Sequence, residues 1–323
     1  MREKKRIKIG FVDFWPEYEP ENSYIISVLR KHFNVEIIDT SNSDARNQVE
    51  YLFYSCFSQK FLDFDCIRIF FTGENLIPDF NLCDYAIGFE NMVIGDRYFR
   101  DPLWYEYIRC HRKFRCDLLP DKLTMRISTE DIGQKKFCGM VVSNGVNADI
   151  FREDFFHRLS DYKKVDSGGR FLNNIGLPKG VEDKISFLRD YKFSLAFENV
   201  SHEGYCTEKI IESFVAGTIP IYWGDPDISK YFNKNAFINC HDFLSVDTII
   251  EKIKEIDQDD EKYYSMIRQP IFVDDYYTPQ RQDERFEEWL ISIFEREYSI
   301  RRNRVGTMKS YEDRCKRQRD CYN

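Results

Sequence analysis

The chain has 323 residues, 47 Lys and Arg against 55 Asp and Glu for a net charge of −8, and 42% hydrophobic residues. That length suits two domains, the apolar content suffices for a core in each, and the acidic balance excludes a protein built around a basic nucleic-acid surface. No apolar run approaches the roughly 18 residues that span a bilayer, and MREKKRIKIGFVDF passes from charges straight into a strand, so a cytoplasmic protein is expected.

Strand-like runs alternate with helix-like runs almost throughout, the pattern of α/β domains with largely parallel sheets. In the first half, strands are predicted at 6–14, 35–39, 66–72 and 84–89, with helices near 22–33 and 103–114. KFCGMVVSN at 136–144 reads as the first strand of a second unit, continued by helices at 149–160 and 181–190, a strand at 191–198, a helix at 207–216 and a strand at 218–223. Helices at 245–256 and 260–269 complete it. A last helix, about 280–298, places Phe286, Trp289, Leu290, Ile293 and Phe294 on one face and must pack on the body. The expected domains are therefore 1–135, 136–278, and a C-terminal helix with a basic tail at 279–323. The ten cysteines show no C-x-x-C pair and read as reduced thiols.

Chemistry concentrates in 191–228, YKFSLAFENVSHEGYCTEKIIESFVAGTIPIYWGDPDI. A buried strand leads through a polar turn into a helix with Thr207 as N-cap and Gly217 just past its end. Ligands of open α/β sheets bind beyond the carboxyl ends of strands, where the next helix offers free N–H groups to an anion, and a pyrophosphate fits there. Taken singly, Glu208 is a first-turn acid that complements the helix dipole and Lys209 a solvated surface charge. At such a turn Lys209 can instead neutralise phosphate, while Glu208, which phosphate repels, accepts from sugar hydroxyls. Glu74 follows an apolar strand in TGEN, whose Gly73 and Asn75 suit a turn. A turn carboxylate in water is the plain reading, a cleft carboxylate the functional one.

FEN, then GYxTEKI, then TIPIYWGxP resembles the donor-site signature of the α-1,3/4-fucosyltransferases, glycosyltransferase family ten, of the bacterial type. FFTGEN at 70–75, FNLCDYAIGFE at 80–90, NADIFREDFFHRLSDY at 147–162 and VDSGG at 165–169 extend the resemblance over about 70–275. It implies the GT-B fold, two Rossmann-like domains facing each other across a cleft, with the donor GDP-fucose on the C-terminal domain and the acceptor on the N-terminal one. It implies that Glu74 is the catalytic base and that Arg152, Tyr205, Glu208 and Lys209 contact the donor. Asn199, Gly168 and Gly169 fall in matching segments and are assigned to the donor pocket. The implied acceptor is an oligosaccharide or glycolipid of N-acetyllactosamine or lactose type.

Asp63-Phe-Asp65 and Asp225-Pro-Asp227 match the D-x-D metal motif of another glycosyltransferase architecture, but three residues are a weak signal among 55 acids. Arg152 and Lys209 can handle pyrophosphate, so no essential metal or cofactor is expected. His202-Glu203 reads as a loop dipeptide. Residues 301–323 carry eight Lys/Arg against Glu312, Asp313 and Asp320, net +5. This tail admits a solvated disordered end, nucleic-acid binding, or attraction of 301–319 to anionic lipid at the inner membrane face. Two rival functions stay open: a GT-B transferase with another sugar nucleotide, and a non-catalytic glycan- or nucleotide-binding protein.

Overall fold

The computed structural model describes residues 3–111, 135–146, 148–302 and 307–322. Two compact units emerge, one made of residues 1–101 with 283–323 and the other of 102–282.

The first unit is a six-stranded sheet of β1 (Arg6–Val12), β2 (Asn34–Ile37), β3 (Tyr51–Tyr54), β4 (Ile67–Phe71), β5 (Tyr85–Gly88) and β6 (Tyr98–Arg100), in the order β2-β1-β3-β4-β5-β6. Every pairing is parallel. The strands read as unbroken apolar runs because both faces are covered. On one face Ile26, Val28 and Leu29 of α1 (Tyr24–His32) join the β1, β3 and β4 side chains; Leu52, Tyr54, Phe61 and Phe70 form the core of the other. β3 and β6 are absent from the sequence reading. YLFY is fully buried but only four residues long, too short for periodicity to distinguish a strand.

The second unit is a five-stranded sheet of β7 (Lys136–Met140), β8 (Val165–Ser167), β9 (Tyr191–Phe197), β10 (Ile219–Trp223) and β11 (Ile238–Asn239), again all parallel, in the order β11-β10-β9-β7-β8. Helices α3 (Phe151–Tyr162), α6 (Val246–Asp257) and α7 (Asp260–Ile267) cover one face. Helices α2 (Leu103–His111), α4 (Lys184–Leu188) and α5 (Glu208–Val215) cover the other. These are the two Rossmann-like α/β units of the GT-B fold.

The units divide at 101/102 and 282/283 rather than at 135/136 and 278/279. Trp104, Tyr105 and Ile108 of α2 are buried against Phe232, Phe272 and Ile210, which draws this helix into the second unit. Phe286, Leu290, Ile293 and Phe294 of α8 (Pro279–Glu295) are buried with Ile7, Tyr51 and Phe33, so the chain returns to complete the first. The expected segment at 112–114 lies outside the described residues. No disulfide joins the cysteines of the described residues, and no helix among them is long and apolar enough to cross a membrane.

The C-terminal segment is not a solvated tail. Arg302 is buried, donating to Asp84, whose Oδ1 also accepts from the Arg301 and Arg302 amides at 2.7 and 2.8 Å. In α9 (Thr307–Tyr322) Glu312 accepts from buried Arg68 at 3.0 Å, Tyr311 donates to Asp79, and Arg319 pairs with Asp63 at 2.9 Å. Arg301 is engaged by Asp96 and Lys316 by Glu312. Arg301, Arg302 and Arg319 therefore neutralise body carboxylates, and less charge remains for a lipid surface than the sequence suggests.

Burial opposes the charge of Glu312, but Arg68 and Lys316 outweigh it and hold its carboxyl at about 2, below the ordinary 4.5. The native state thus binds fewer protons there than the unfolded chain, so the stabilisation is complete above about 4.5 and is lost as pH falls toward about 2. Urea unfolding midpoints should drop across that window in the wild type, with a shallower acid dependence in Glu312→Gln.

Candidate active site

In the second unit, β7 continues into α3 and β8 on one side, whereas β9 returns to the other side of β7. The carboxyl ends of β7 and β9 therefore flank the point where strand order reverses, the place where open α/β sheets hold ligands. Arg152, in the first turn of α3, bridges this point. It is fully buried, and its Nη2 donates to Phe197 O at 3.0 Å and Asn199 Oδ1 at 2.8 Å beyond β9, while Nη1 reaches Asn144 O at 3.4 Å beyond β7. Its Nε is buried with no hydrogen-bond partner among the described residues. Burial lowers the Arg152 pKa, against the opposing pull of Glu198, Tyr205 and Glu208. A guanidinium stays protonated even so. Among the described residues it forms no carboxylate salt bridge and keeps a donor left over.

The turn from β9 to α5 is built by Gly204, whose φ of +80° lets the chain reverse before buried Tyr205. Thr207 starts α5, but its hydroxyl donates to Glu198 Oε2 at 2.6 Å instead of capping the helix. Its amide donates to Glu198 Oε1 at 2.8 Å. The helix closes as expected: Gly217 has φ +67°, its N–H bonds Phe214 O, and the Thr218 N–H bonds Ser213 O.

Glu198 is the residue that sequence reasoning missed. It lies in the quoted FEN, fully buried, and organises the turn through Thr207 and Lys209. Gly224 packs flush on it: a Cβ at that glycine would sit 2.4 Å from Glu198 Cγ. A Glu following an apolar strand was its sequence signal, shared with Glu74.

Lys209 Nζ donates to Glu198 Oε2 at 2.9 Å and Thr207 Oγ1 at 2.8 Å and lies 3.3 Å from Glu208 Oε1. Burial disfavours its charge, but the two carboxylates prevail and raise its pKa. Burial likewise pushes Glu208 up, yet Lys209 and Lys184 hold it down at about 2. Lys209 is thus a half-buried, partnered ammonium, not a solvated surface charge, and its first duty is to balance Glu198 and Glu208.

Gly168 and Gly169 follow β8. A Cβ at Gly169 would lie 1.9 Å from Val142 O, and one at Gly168 would meet the Phe187 ring at 3.0 Å. The loops after β8 and β7 can lie this close only because Gly169 has no side chain, while Gly168 lets the Phe187 ring of α4 pack on the same turn.

The structure thus brings Arg152, Asn199, Tyr205, Glu208 and Lys209 together at the carboxyl ends of the second sheet. Glu74 belongs to the first unit, exposed in the turn after β4, its N–H donating to Thr72 Oγ1 at 3.0 Å. The D-x-D carboxylates have local duties: Asp63 pairs with Arg46 and Arg319, Asp65 with Arg302, and Asp225 accepts from the Asp227 amide. Among the described residues no group of three or more His, Cys, Asp or Glu is arranged to hold a metal ion.

Comparison with known proteins gives the family. Two family profiles match in tandem: the alpha-(1,3)-fucosyltransferase FucT N-terminal domain over residues 9–107 and the glycosyltransferase family 10 (fucosyltransferase) C-terminal region over 132–278. An alpha-(1,3)-fucosyltransferase FucT of Helicobacter pylori is 32% identical over 293 residues, covering 81% of this chain. The chain spans 59% of that relative's length. A crystal structure of an alpha1,3-fucosyltransferase with GDP superposes with a TM-score of 0.75 at 29% identity, covering 94% of each chain. One with GDP-fucose gives 0.75 at 28%, covering 94% of this chain and 95% of that one. With both profiles in chain order and the fold matched over nearly the whole length, this chain belongs to glycosyltransferase family 10.

Proposed function

We propose that the protein is an α-1,3(/4)-fucosyltransferase that moves L-fucose from GDP-β-L-fucose, with inversion, to a GlcNAc or Glc hydroxyl of an N-acetyllactosamine- or lactose-type glycan. The observation that carries this reading is Arg152: a buried guanidinium whose Nε has no hydrogen-bond partner among the described residues, at the sheet's reversal point, suited to an anionic leaving group. GDP gains charge as the C1–O bond breaks, and a fixed cation in a dry site stabilises that change most where it develops. Lys209 supports the same charge, Tyr205 and Asn199 line the pocket, and the close-set loop at Gly168–Gly169 forms its wall. Glu208 accepts from fucose hydroxyls. The first unit takes the acceptor, whose hydroxyl is too weakly acidic to attack unaided, and Glu74 removes its proton. The donor assignment draws support from the family's solved structures with GDP and GDP-fucose. Peripheral attachment to anionic lipid would fall to exposed Arg314 and Arg317.

Incubation with GDP-fucose, GDP-mannose and UDP-sugars against a disaccharide panel, with linkage analysis, tests the reading. GDP-fucose alone should give product, 3- or 4-linked to GlcNAc or Glc, and the yield should survive exhaustive chelation because side chains hold the pyrophosphate. Turnover with another donor and none with GDP-fucose would refute the donor assignment. Loss with EDTA and rescue by Mn²⁺ would refute the metal-free mechanism.

A further inference from the structure

The first sheet has a reversal point of its own, between β1 and β3, because β2 and β3 lie on opposite sides of β1. A cavity of about 250 Å³ opens there, lined by Asp13, Phe14, Tyr18, Thr40 and Lys60 among others. Most of the chain's aromatics fill the cores, but four gather at this rim. Phe14 and Tyr18 stack with centroids 4.0 Å apart and planes at 18°, Trp15 meets Tyr18 edge-on at 4.8 Å, and Phe57 lies 6.3 Å from Trp15. Phe14, Trp15 and Tyr18 are partly exposed and Phe57 is half exposed. Phe14, Trp15 and Tyr18 pack on the core of the sheet and leave part of each ring exposed, and ligand sites combine such apolar walls with a few fixed polar groups.

The polar groups here are the Asp13 carboxylate, the Thr40 hydroxyl and the exposed Lys60 ammonium. Asp13 adopts φ +63°, a left-handed conformation uncommon outside glycine, and its carboxylate accepts from the Lys60 and Phe61 amides at 3.1 and 2.9 Å. It thereby ties the loop after β3, which carries Phe57, to the turn after β1, which carries Trp15. A carboxylate has about four lone-pair positions, so acceptor capacity remains. The Thr40 hydroxyl donates to Phe11 O at 2.8 Å and keeps its own lone pairs for an incoming donor. A neutral sugar presents C–H faces to the rings, hydroxyl donors to the carboxylate and hydroxyl lone pairs to Lys60. Glu74 stands at the same edge after β4, and β3 alone separates β4 from β1. Two strand spacings are about 10 Å, a separation of disaccharide scale.

We infer that this rim is a saccharide-binding subsite of the first unit, with Trp15 and the Phe14–Tyr18 pair as the stacking platform and Asp13 as the hydroxyl acceptor. It holds the acceptor sugar next to the one that reacts at Glu74, and so selects a disaccharide over a monosaccharide. This rests on the transferase reading, and the test separates the two. Saturation-transfer NMR with N-acetyllactosamine, with and without GDP, should show binding to the wild type that Trp15→Ala and Tyr18→Ala weaken at least tenfold and Trp15→Phe retains. In turnover, the Ala variants should raise the acceptor KM at least tenfold while leaving the GDP-fucose KM and acceptor-independent hydrolysis of GDP-fucose unchanged. Loss of hydrolysis in the wild type would refute the transferase reading, yet Trp15-dependent disaccharide binding would still uphold the subsite. Absence of disaccharide binding to the wild type, or equal binding by Trp15→Ala and Tyr18→Ala with native circular dichroism, overturns it.

Discussion

Glu74→Gln is expected to lower kcat for transfer to a sugar acceptor by at least about 100-fold, the lower end of what a positioned general base contributes, while GDP-fucose binding stays near wild type. Gln keeps the size and hydrogen-bonding reach of Glu but cannot take the proton. A group acting on a proton in flight contributes little to ground-state donor affinity, so the loss should fall on kcat and not on KM for GDP-fucose. Folding should be unaffected, because Glu74 is exposed and only its backbone groups are engaged in the turn. The acid limb of the kcat profile should flatten in residual Gln activity. Asp96 is badly suited to replace it, since its hydrogen bonds to Arg301, with the charges of Arg296 and Arg301, hold its carboxyl below the ordinary range despite some burial. Retention of more than about a tenth of wild-type kcat would remove Glu74 from the role of base, given a base worth 10²-fold or more.

Arg152→Ala and Lys209→Ala should each cost about 2–4 kcal/mol in kcat/KM, the scale of losing one donor to developing charge. The two should differ in character. Arg152→Ala strips partners from Phe197 O and Asn199 Oδ1 and removes a cation that has no carboxylate salt bridge among the described residues, so GDP affinity should fall together with turnover. Lys209→Ala leaves Glu198 and Glu208 facing each other without the ammonium between them. That uncompensated buried charge should lower the melting temperature as well, and it adds repulsion to an anionic donor. Calorimetry with GDP and thermal melts distinguish these effects. Wild-type GDP affinity and turnover in both variants would refute the proposed donor site.

The structure also alters what Lys209 means. Read by itself, a lysine in a helix's first turn is either surface charge or phosphate clamp. Here it is held between buried Glu198 and Thr207 and partly exposed Glu208, so its contribution to any phosphate is shared with the carboxylates it neutralises. Arg152 carries the larger part of the unspent positive charge.

Several features were legible without coordinates. Long apolar runs marked β1, β4, β7, β9 and β10, and strand–helix alternation marked two parallel-sheet units, because period and run length are local properties of a sequence. Gly217 after the last helical turn marked a helix end, whereas the close approach that requires Gly169 shows only in the structure. Other features depended on residues far apart in the chain. β3 and β6 are too short to carry a pattern, and the pairing of Asp84 with Arg302 or of Arg68 with Glu312 joins segments more than 200 residues apart. A run of net +5 therefore looked like a free tail until its carboxylate partners were brought beside it. Composition sets which charges exist. Only the tertiary structure decides which are neutralised, because an ion pair depends on distance and burial, and neither is a property of the linear order.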